Sequence, residues 1–312
     1  MAELIRFVAR RLAQGIAVVY VVATATFVLL RVVPGGPFDR EKQLPPEVKA
    51  NIARKYHLDA PVTRQYLDYL VDLSHLDFGP SLRFPGRSVG EILAEGLPVS
   101  ATIGAAGLAL AVAFGVVGGV AAYQVRSGAG SVVVAVLLVV GMCVPSFVLA
   151  VALIEVFAMR LGIVPPALWE GFRYGVLPVL TLALAPGVYL ARLTRSELLE
   201  LETREFVQTA RAKGLAPVVV LLKHQLRPAL LAMVTMLGPL AATLCTGSFV
   251  VEHMFALPGA GRHFVTAVID RDYPMVMAVT VIYASALVIA NLVVDVAAAA
   301  LDPRVRLEGK GA

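Results

Sequence analysis

Residues 205–227, EFVQTARAKGLAPVVVLLKHQLR, form the most informative stretch of the chain. The stretch lies between two apolar runs, residues 176–191 and 228–251, but contains no apolar run of lipid length. It is amphipathic and basic, and its cations are Arg211, Lys213, Lys223 and Arg227. Gly214 and Pro217 mark a break, which predicts a short helix, a turn and a second short helix. The same residues also fit an ordinary charged loop between two membrane spans.

The overall composition is that of a membrane protein. Of the 312 residues, 58% are apolar and 16% are charged, and the mean hydropathy is +0.79. These values lie outside the usual range of a soluble domain. The net charge of +5 does not indicate nucleic acid here, because in so apolar a chain positive charge more often sets topology and contacts lipid headgroups. Cys143 and Cys245 lie inside apolar runs and imply no disulfide framework.

Six apolar segments are predicted to cross the bilayer, whose core takes about 20 helical residues to span. They cover residues 12–33, 99–123, 131–159, 176–191, 228–251 and 274–301, after a short basic tail. Pro145 predicts a kink in the third span, and Pro178 with Pro186 predicts a bend in the fourth. We therefore expect an all-α integral membrane protein with six transmembrane helices.

Residues 34–98 are the one sizeable polar region of the sequence. Leu44-Pro45-Pro46-Glu47 is typical of a helix start, and short amphipathic helices are predicted over residues 48–56 and 62–73. Asp77-Phe78-Gly79-Pro80-Ser81 predicts a turn. These helix and turn signals indicate a small helical cap on the membrane surface.

The distribution of cations predicts the orientation. Residues 192–227 carry seven Lys or Arg, whereas the loops 160–175 and 252–273 carry two Arg each. Because cytoplasmic loops are enriched in these residues, we expect both termini and residues 192–227 inside, and the cap outside.

Two sets of residues within the spans are notable. Small residues recur every four positions in the second span and predict a close helix–helix contact along Gly107, Ala111, Gly115 and Gly119. Glu155, Asn291 and Asp295 are polar groups at membrane depth, which are costly and therefore either line a pathway or bond across helices within the bundle.

Enzyme chemistry has no support in the sequence. No G-x-x-x-x-G-K-[ST] phosphate loop is found, so ATP hydrolysis is not expected of this chain. Neither an H-E-x-x-H motif nor paired cysteines offer a metal site. The five His are scattered, and no nucleophile has a partner at a matching depth.

The string Thr209-Ala210-Arg211-Ala212-Lys213-Gly214, after Glu205 and Phe206, resembles the "EAA" loop of ABC-importer permeases. Gln208-Thr209-Ala210 stands where the name implies Glu-Ala-Ala, and the spacing of Ala210 and Gly214 is kept. Further strings, in order along the chain, resemble the B-type permease of the dipeptide, oligopeptide and nickel importers. They include Pro34-Gly35-Gly36-Pro37-Phe38, Asp77-Phe78-Gly79-Pro80-Ser81, Pro145-Ser146-Phe147, Leu257-Pro258-Gly259 and Arg271-Asp272-Tyr273. Those most similar to the oligopeptide member are Leu44-Pro45-Pro46-Glu47-Val48 with Asn51-Ile52, Lys55-Tyr56-His57-Leu58, and the string over residues 77–81.

The resemblance implies the type I importer fold and a division of the chain into three parts. Residues 1–33 would form the cytoplasmic tail and first span, residues 34–98 the extracytoplasmic cap, and residues 99–312 the core. Residues 192–227 would be the cytoplasmic coupling segment. The residues implied to contact an ATPase subunit are Glu205, Thr209, Ala210, Arg211, Ala212, Lys213 and Gly214.

The resemblance also implies the partners: a homologous C-type permease, two ATPase subunits, an extracytoplasmic peptide-binding protein, the peptide and membrane lipid. ATP and Mg would bind to the ATPase subunits, and this chain would hold no cofactor. Import of dipeptides or nickel by the same machinery is the alternative, and His253, Met254 and His263 keep nickel open. A secondary transporter should show internal repeats, which the sequence lacks.

Overall fold

The structure, a computed structural model, describes residues 2–33 and 60–301. Its helices in chain order are α1 (Ala2–Val32), α2 (Val62–Ser74), α3 (Val89–Gln124), α4 (Gly128–Cys143) and α5 (Ser146–Leu153), which runs on as a π-helical segment (Ile154–Arg160). Next come α6 (Phe172–Leu201), α7 (Glu205–Ala212) and α8 (Pro217–Val219), followed by a second π-helical segment (Val220–Gln225). The remaining helices are α9 (Leu226–Cys245), α10 (Phe249–Met254), α11 (Ala260–Asp270) and α12 (Tyr273–Leu301).

Five helical stretches are long and apolar enough to cross a membrane, and a bent pair makes a sixth if it counts as one span. The five are Arg6–Val32, Val89–Gln124, Phe172–Leu201, Pro217–Met254 and Tyr273–Val296. The bent pair is α4 with α5 and its π-helical extension. The predicted all-α membrane fold is confirmed.

The third predicted span is broken far more sharply than the predicted kink. Its two halves meet at 94°. Val144 has extended backbone angles of φ −70° and ψ 117°, and Pro145 follows it. Proline lacks the N–H that would continue the helix and disfavours helical angles in the preceding residue, so the chain turns here.

Several helices are longer than predicted. α3 begins at Val89 and not at residue 99, because the Ser88 hydroxyl accepts from the Glu91 N–H at 3.1 Å while the Glu91 carboxylate accepts from the Ser88 N–H at 3.2 Å. Residues 89–98 of the predicted cap are therefore helical and continuous with the helix of the second predicted span. α6 runs through Pro178 and Pro186 to Leu201, so residues 192–201 continue the fourth span.

Within the cap region, α2 agrees with the helix predicted over residues 62–73. The predicted start at Leu44–Glu47 and the helix over residues 48–56 lie outside the described residues.

α3 and α6 approach each other to near backbone contact. A Cβ added to Gly107 would lie 3.2 Å from the Leu182 Cβ, and one added to Gly119 would lie 2.5 Å from the Thr194 Cβ. Gly115 faces Leu190 in the same way, and Ala111 is fully buried beside Gly187 of α6. The structure thus places all four residues of the period-four stripe on the face of α3 that contacts α6. Small residues permit this close packing, which is a main source of helix association in lipid.

Candidate functional site

The basic stretch between α6 and α9 forms a helix, a turn and a second helix. α7 covers Glu205–Ala212, and Gly214 just after it has a φ of +75°. Such a left-handed conformation favours glycine, because a side chain strains the backbone there. No atom lies within 4 Å of the position that a Gly214 Cβ would occupy, so the turn is open on its outer side.

α7 is held by a small apolar cluster of its own. Val207 and Ala210 on its inner face pack with Val220 at the start of the second π-helical segment, and all three are buried. Of the seven predicted contact residues, Ala210 is buried, and the other six are exposed: Glu205, Thr209, Arg211, Ala212, Lys213 and Gly214. α7 therefore presents a continuous outer surface with small side chains and two cations, which a partner can approach closely.

The C-cap of α6, Glu202, joins α7 to the bundle. Its carboxylate oxygen Oε1 accepts from an Arg211 terminal nitrogen at 2.7 Å and lies 3.3 Å from Arg126 Nε. Its backbone carbonyl accepts from Gln208 Nε2 at 2.8 Å. The pKa of Arg211 is raised above its ordinary value, chiefly because Glu202 accepts this hydrogen bond. Arg211 was predicted from the sequence and Glu202 was not, because nothing in the sequence indicates that the chain turns back at residues 202–204.

A cavity of about 610 Å³ lies between α8, the second π-helical segment and the end of α3. Arg126 and Arg211 are on its wall, together with Tyr123 and Gln225. Gln225 is buried and donates from Nε2 to the Tyr123 hydroxyl at 3.3 Å. Polar side chains therefore line part of this end of the bundle, beside α7.

The three polar residues predicted at membrane depth do not come together. Glu155 is exposed and pairs with Arg160 at 2.9 Å, and Asp295 pairs with Arg11 of α1 at 3.1 Å. Asn291 faces α9, where a Cβ on Gly238 would lie 2.6 Å from the Asn291 Oδ1. Each residue thus has its own neighbour, and a role for any of them in a pathway stays a prediction.

A buried carboxylate that the sequence analysis overlooked lies at the opposite end of the bundle. Glu252 is 3% exposed and accepts from the Ser100 hydroxyl of α3 at 2.7 Å and from the Arg262 N–H of α11 at 2.9 Å. The Ser100 hydroxyl in turn accepts from the Ala260 N–H at 2.9 Å. Together they satisfy N–H groups that the start of α11 would otherwise leave without partners. A Cβ on Gly247 or Gly261 would crowd the Glu252 carboxylate, which explains the glycines around this site.

Two motifs that the sequence analysis treated separately are in contact. The buried Asp272 carboxylate accepts from the Ser81 hydroxyl at 2.5 Å and from the Arg83 N–H at 3.2 Å. It also caps α12 by accepting from the Met275 N–H at 3.3 Å. The turn that ends at Ser81 is thereby fixed to the connection between α11 and α12.

Residues suggested for nickel are not arranged as a metal site. His253 is exposed on α10, and the His263 ring packs edge-on against Phe84 with centroids 6.0 Å apart. In the part of the chain that the structure describes, no group of three or more His, Cys, Asp or Glu side chains could hold a metal ion.

Comparison with known families identifies the class of membrane protein to which this helical bundle belongs. Residues 112–307 match the family described as binding-protein-dependent transport system inner membrane component, and residues 4–100 match the N-terminal family of such membrane components. The chain belongs to this family of transport-system membrane components and is a multi-pass membrane protein.

Individual relatives are similar over almost their whole length. The dipeptide transport system permease protein DppB of Bacillus subtilis (strain 168) is 42% identical, covering 98% of this chain and 99% of the relative. The oligopeptide transport system permease protein OppB of Escherichia coli (strain K12) is 39% identical, covering 97% of this chain and 100% of the relative. In a solved structure of the MetNI methionine ABC transporter, one chain has a TM-score of 0.58 at 18% identity, covering 68% of this chain and 96% of that one, which shows a shared fold.

Proposed function

We propose that this chain is a permease subunit of an ATP-driven importer that takes oligopeptides into the cytoplasm. The observation that carries the proposal is the near full-length similarity to peptide permeases, at 39% and 42% identity. The chain would form the pathway together with a homologous C-type permease. An extracytoplasmic binding protein would deliver the peptide from the side of the cap.

The outer surface of α7 and Gly214 would dock in a cleft of an ATPase subunit. This chain supplies no ATP site, so ATP and Mg bind to the two ATPase subunits. Closure of those subunits displaces α7, and the two permeases rock between inward- and outward-facing states. The permease contributes contacts that differ between the two states, as any such switch requires. Docking of α7 on an ATPase subunit requires that α7 and both termini lie on the cytoplasmic side of the membrane.

Dipeptides are the second candidate substrate, because the relative from Bacillus subtilis is a dipeptide permease. The oligopeptide assignment rests on the strings around Leu44, Lys55 and Asp77. The deciding measurement is the ATPase activity of the complete transporter in lipid, with peptides of two to nine residues added in turn. Stimulation by peptides of four or more residues supports oligopeptide import. Stimulation by dipeptides alone moves the substrate to the second candidate, and no stimulation by any peptide contradicts the proposal.

Gly214→Asp tests the docking surface. We expect it to abolish peptide import while the protein remains inserted in the membrane, because the side chain strains a left-handed turn and occupies the space through which the partner approaches. The measurement is import of a labelled peptide into proteoliposomes.

The control is Gly162→Asp, since Gly162 has a φ of +64° and equally open surroundings but lies in the loop before α6. Import should survive in this control. Normal import by Gly214→Asp would overturn the assignment of α7.

A further inference from the structure

Glu202 lies where three parts of the molecule meet. It follows the last residue of α6, Arg211 belongs to α7, and Arg126 belongs to the connection between α3 and α4. Both arginines contact the same oxygen, Oε1, at 2.7 and 3.3 Å. One carboxylate therefore fixes the position of α7 relative to the end of α3.

The connection between α3 and α4 is itself tied firmly to α6. Arg195 of α6 donates from Nε to the Ala122 carbonyl at 3.2 Å and from a terminal nitrogen to the Ser131 hydroxyl at 2.8 Å. Its guanidinium thus bonds to the residues on both sides of the connection. Arg195 therefore holds the last turn of α3 and the first turn of α4 together on either side of Arg126.

The two ion pairs that Glu202 makes are too weak for a purely stabilising role. The side chains of Arg126 and Arg211 are about 40% exposed. Ion pairs with one partner this exposed contribute little to the stability of a fold. α7 also has its own buried cluster of Val207, Ala210 and Val220, which stabilises it apart from the Glu202 carboxylate. What the shared carboxylate adds is a defined geometry between α7 and the bundle.

We propose that Glu202 is a positioning residue for transport: its carboxylate couples α7 to Arg126, so that displacement of α7 moves the connection between α3 and α4. This inference rests on the proposed docking of α7 on an ATPase subunit. Without the carboxylate, the turn at Thr203 and Arg204 absorbs the displacement. ATP would then be hydrolysed with fewer peptides imported.

The test compares Glu202→Gln, Glu202→Asp and the parent in the complete transporter, reconstituted in proteoliposomes with labelled tetra-alanine. The readout is the number of peptides imported per ATP hydrolysed, which a loss of assembled protein would leave unchanged. We expect Glu202→Gln to lower this ratio by about fivefold, the lower end of ordinary couplings between sites. Glu202→Asp, which keeps the charge, should recover a large part of the ratio.

The matched control is Glu95→Gln, which removes an exposed carboxylate paired with Arg87 at 2.6 Å in the first turns of α3. Its ratio should equal that of the parent. If Glu202→Gln keeps the parent ratio in a transporter that imports the peptide, the inference is wrong and the proposed function stands. If the parent hydrolyses ATP without importing any peptide, the proposed function itself fails.

A second variant, on a different element, tests the contact itself. Arg126→Gln should lower the same ratio of peptides imported per ATP hydrolysed. The double variant with Glu202→Gln should behave like either single variant, because each substitution removes the same contact between Glu202 and Arg126. Effects that multiply in the double variant would show that the two residues act separately and would overturn the proposal.

Discussion

Glu252 is a charged side chain buried among backbone donors at the end of the bundle. Its hydrogen bonds come from α3 and from the first turn of α11, so one carboxylate joins parts of the chain more than 150 residues apart. A buried polar group is tolerated only when such partners are present. Removing one member of this network therefore lowers the free energy of unfolding by more than one hydrogen bond contributes, because the buried groups that remain are left without a partner.

The first prediction concerns this carboxylate. Glu252→Ala should lower the free energy of unfolding by about 2–3 kcal/mol, and Ser100→Ala by about 1–2 kcal/mol, because each leaves buried donors without acceptors. Thermal unfolding of the purified protein in detergent measures both effects.

Ser74→Ala is the control, since Ser74 is exposed at the end of α2 and should change stability by less than about 0.5 kcal/mol. Equal unfolding temperatures for Glu252→Ala and Ser74→Ala would contradict the assigned role of Glu252.

At the scale of single elements, α3 depends on small residues on more than one face. Besides the stripe that contacts α6, Gly104 is buried against α9, where an added Cβ would overlap the backbone of Leu244 and Cys245. Backbone cannot move aside as the end of a flexible side chain can. The crossing of α3 and α9 is therefore set by the absence of a side chain at residue 104.

The second prediction uses two glycines of the same helix. Gly104→Ala should destabilise the protein by about 1–3 kcal/mol, the usual cost of overpacking. Gly90→Ala should be neutral or stabilising by up to about 1 kcal/mol, because a Cβ there meets no atom closer than 4.0 Å and alanine favours the helix.

Unfolding in detergent distinguishes these two variants. A Gly104→Ala protein as stable as Gly90→Ala would mean that α3 and α9 are less closely packed than described.

The elements differ in how far the sequence predicted them. The stripe from Gly107 to Gly119 was visible because its period matches a helix face. The length of α3 was underestimated, since the polar residues before Pro98 suggested a cap, although Ser88 and Glu91 form a recognisable capping box. The angle at Pro145 could not be predicted in size, because a proline permits a break but neighbouring helices decide its angle.

At the scale of the whole molecule, the positive charges along the chain predict its orientation in the membrane. The third prediction follows from the distribution of Lys and Arg. The connection that contains Arg126 should lie on the cytoplasmic side of the membrane, and α2 should lie on the opposite side. In a chain freed of Cys143 and Cys245, Ser74→Cys should react in intact cells with a membrane-impermeant maleimide. Ser127→Cys should react only after permeabilisation.

Both positions are exposed, so accessibility within the protein does not bias the comparison. Reaction of Ser127→Cys in intact cells would invert the topology and remove α7 from the side of the ATPase subunits.

The candidate site was only partly accessible from the sequence. α7 and Gly214 follow from local patterns, namely an amphipathic period and the break marked by Gly214 and Pro217. Glu202, Glu252 and Asp272 take their roles from residues 76 to 191 positions away, and such pairs leave no mark in a single sequence. For the same reason Asp77–Ser81 and Arg271–Tyr273 were recognised as separate strings, although the fold makes them one contact.

The bond between Ser81 and Asp272 has a consequence for biosynthesis. The two residues are 191 positions apart, and a chain is made from its N-terminal end. The turn at residues 77–81 therefore leaves the ribosome long before its acceptor exists. Until α12 has begun to insert, the Ser81 hydroxyl and the Arg83 N–H lack the Asp272 carboxylate. Nascent chains stalled before residue 272 should thus expose this turn to quality-control proteases, whereas completed chains protect it.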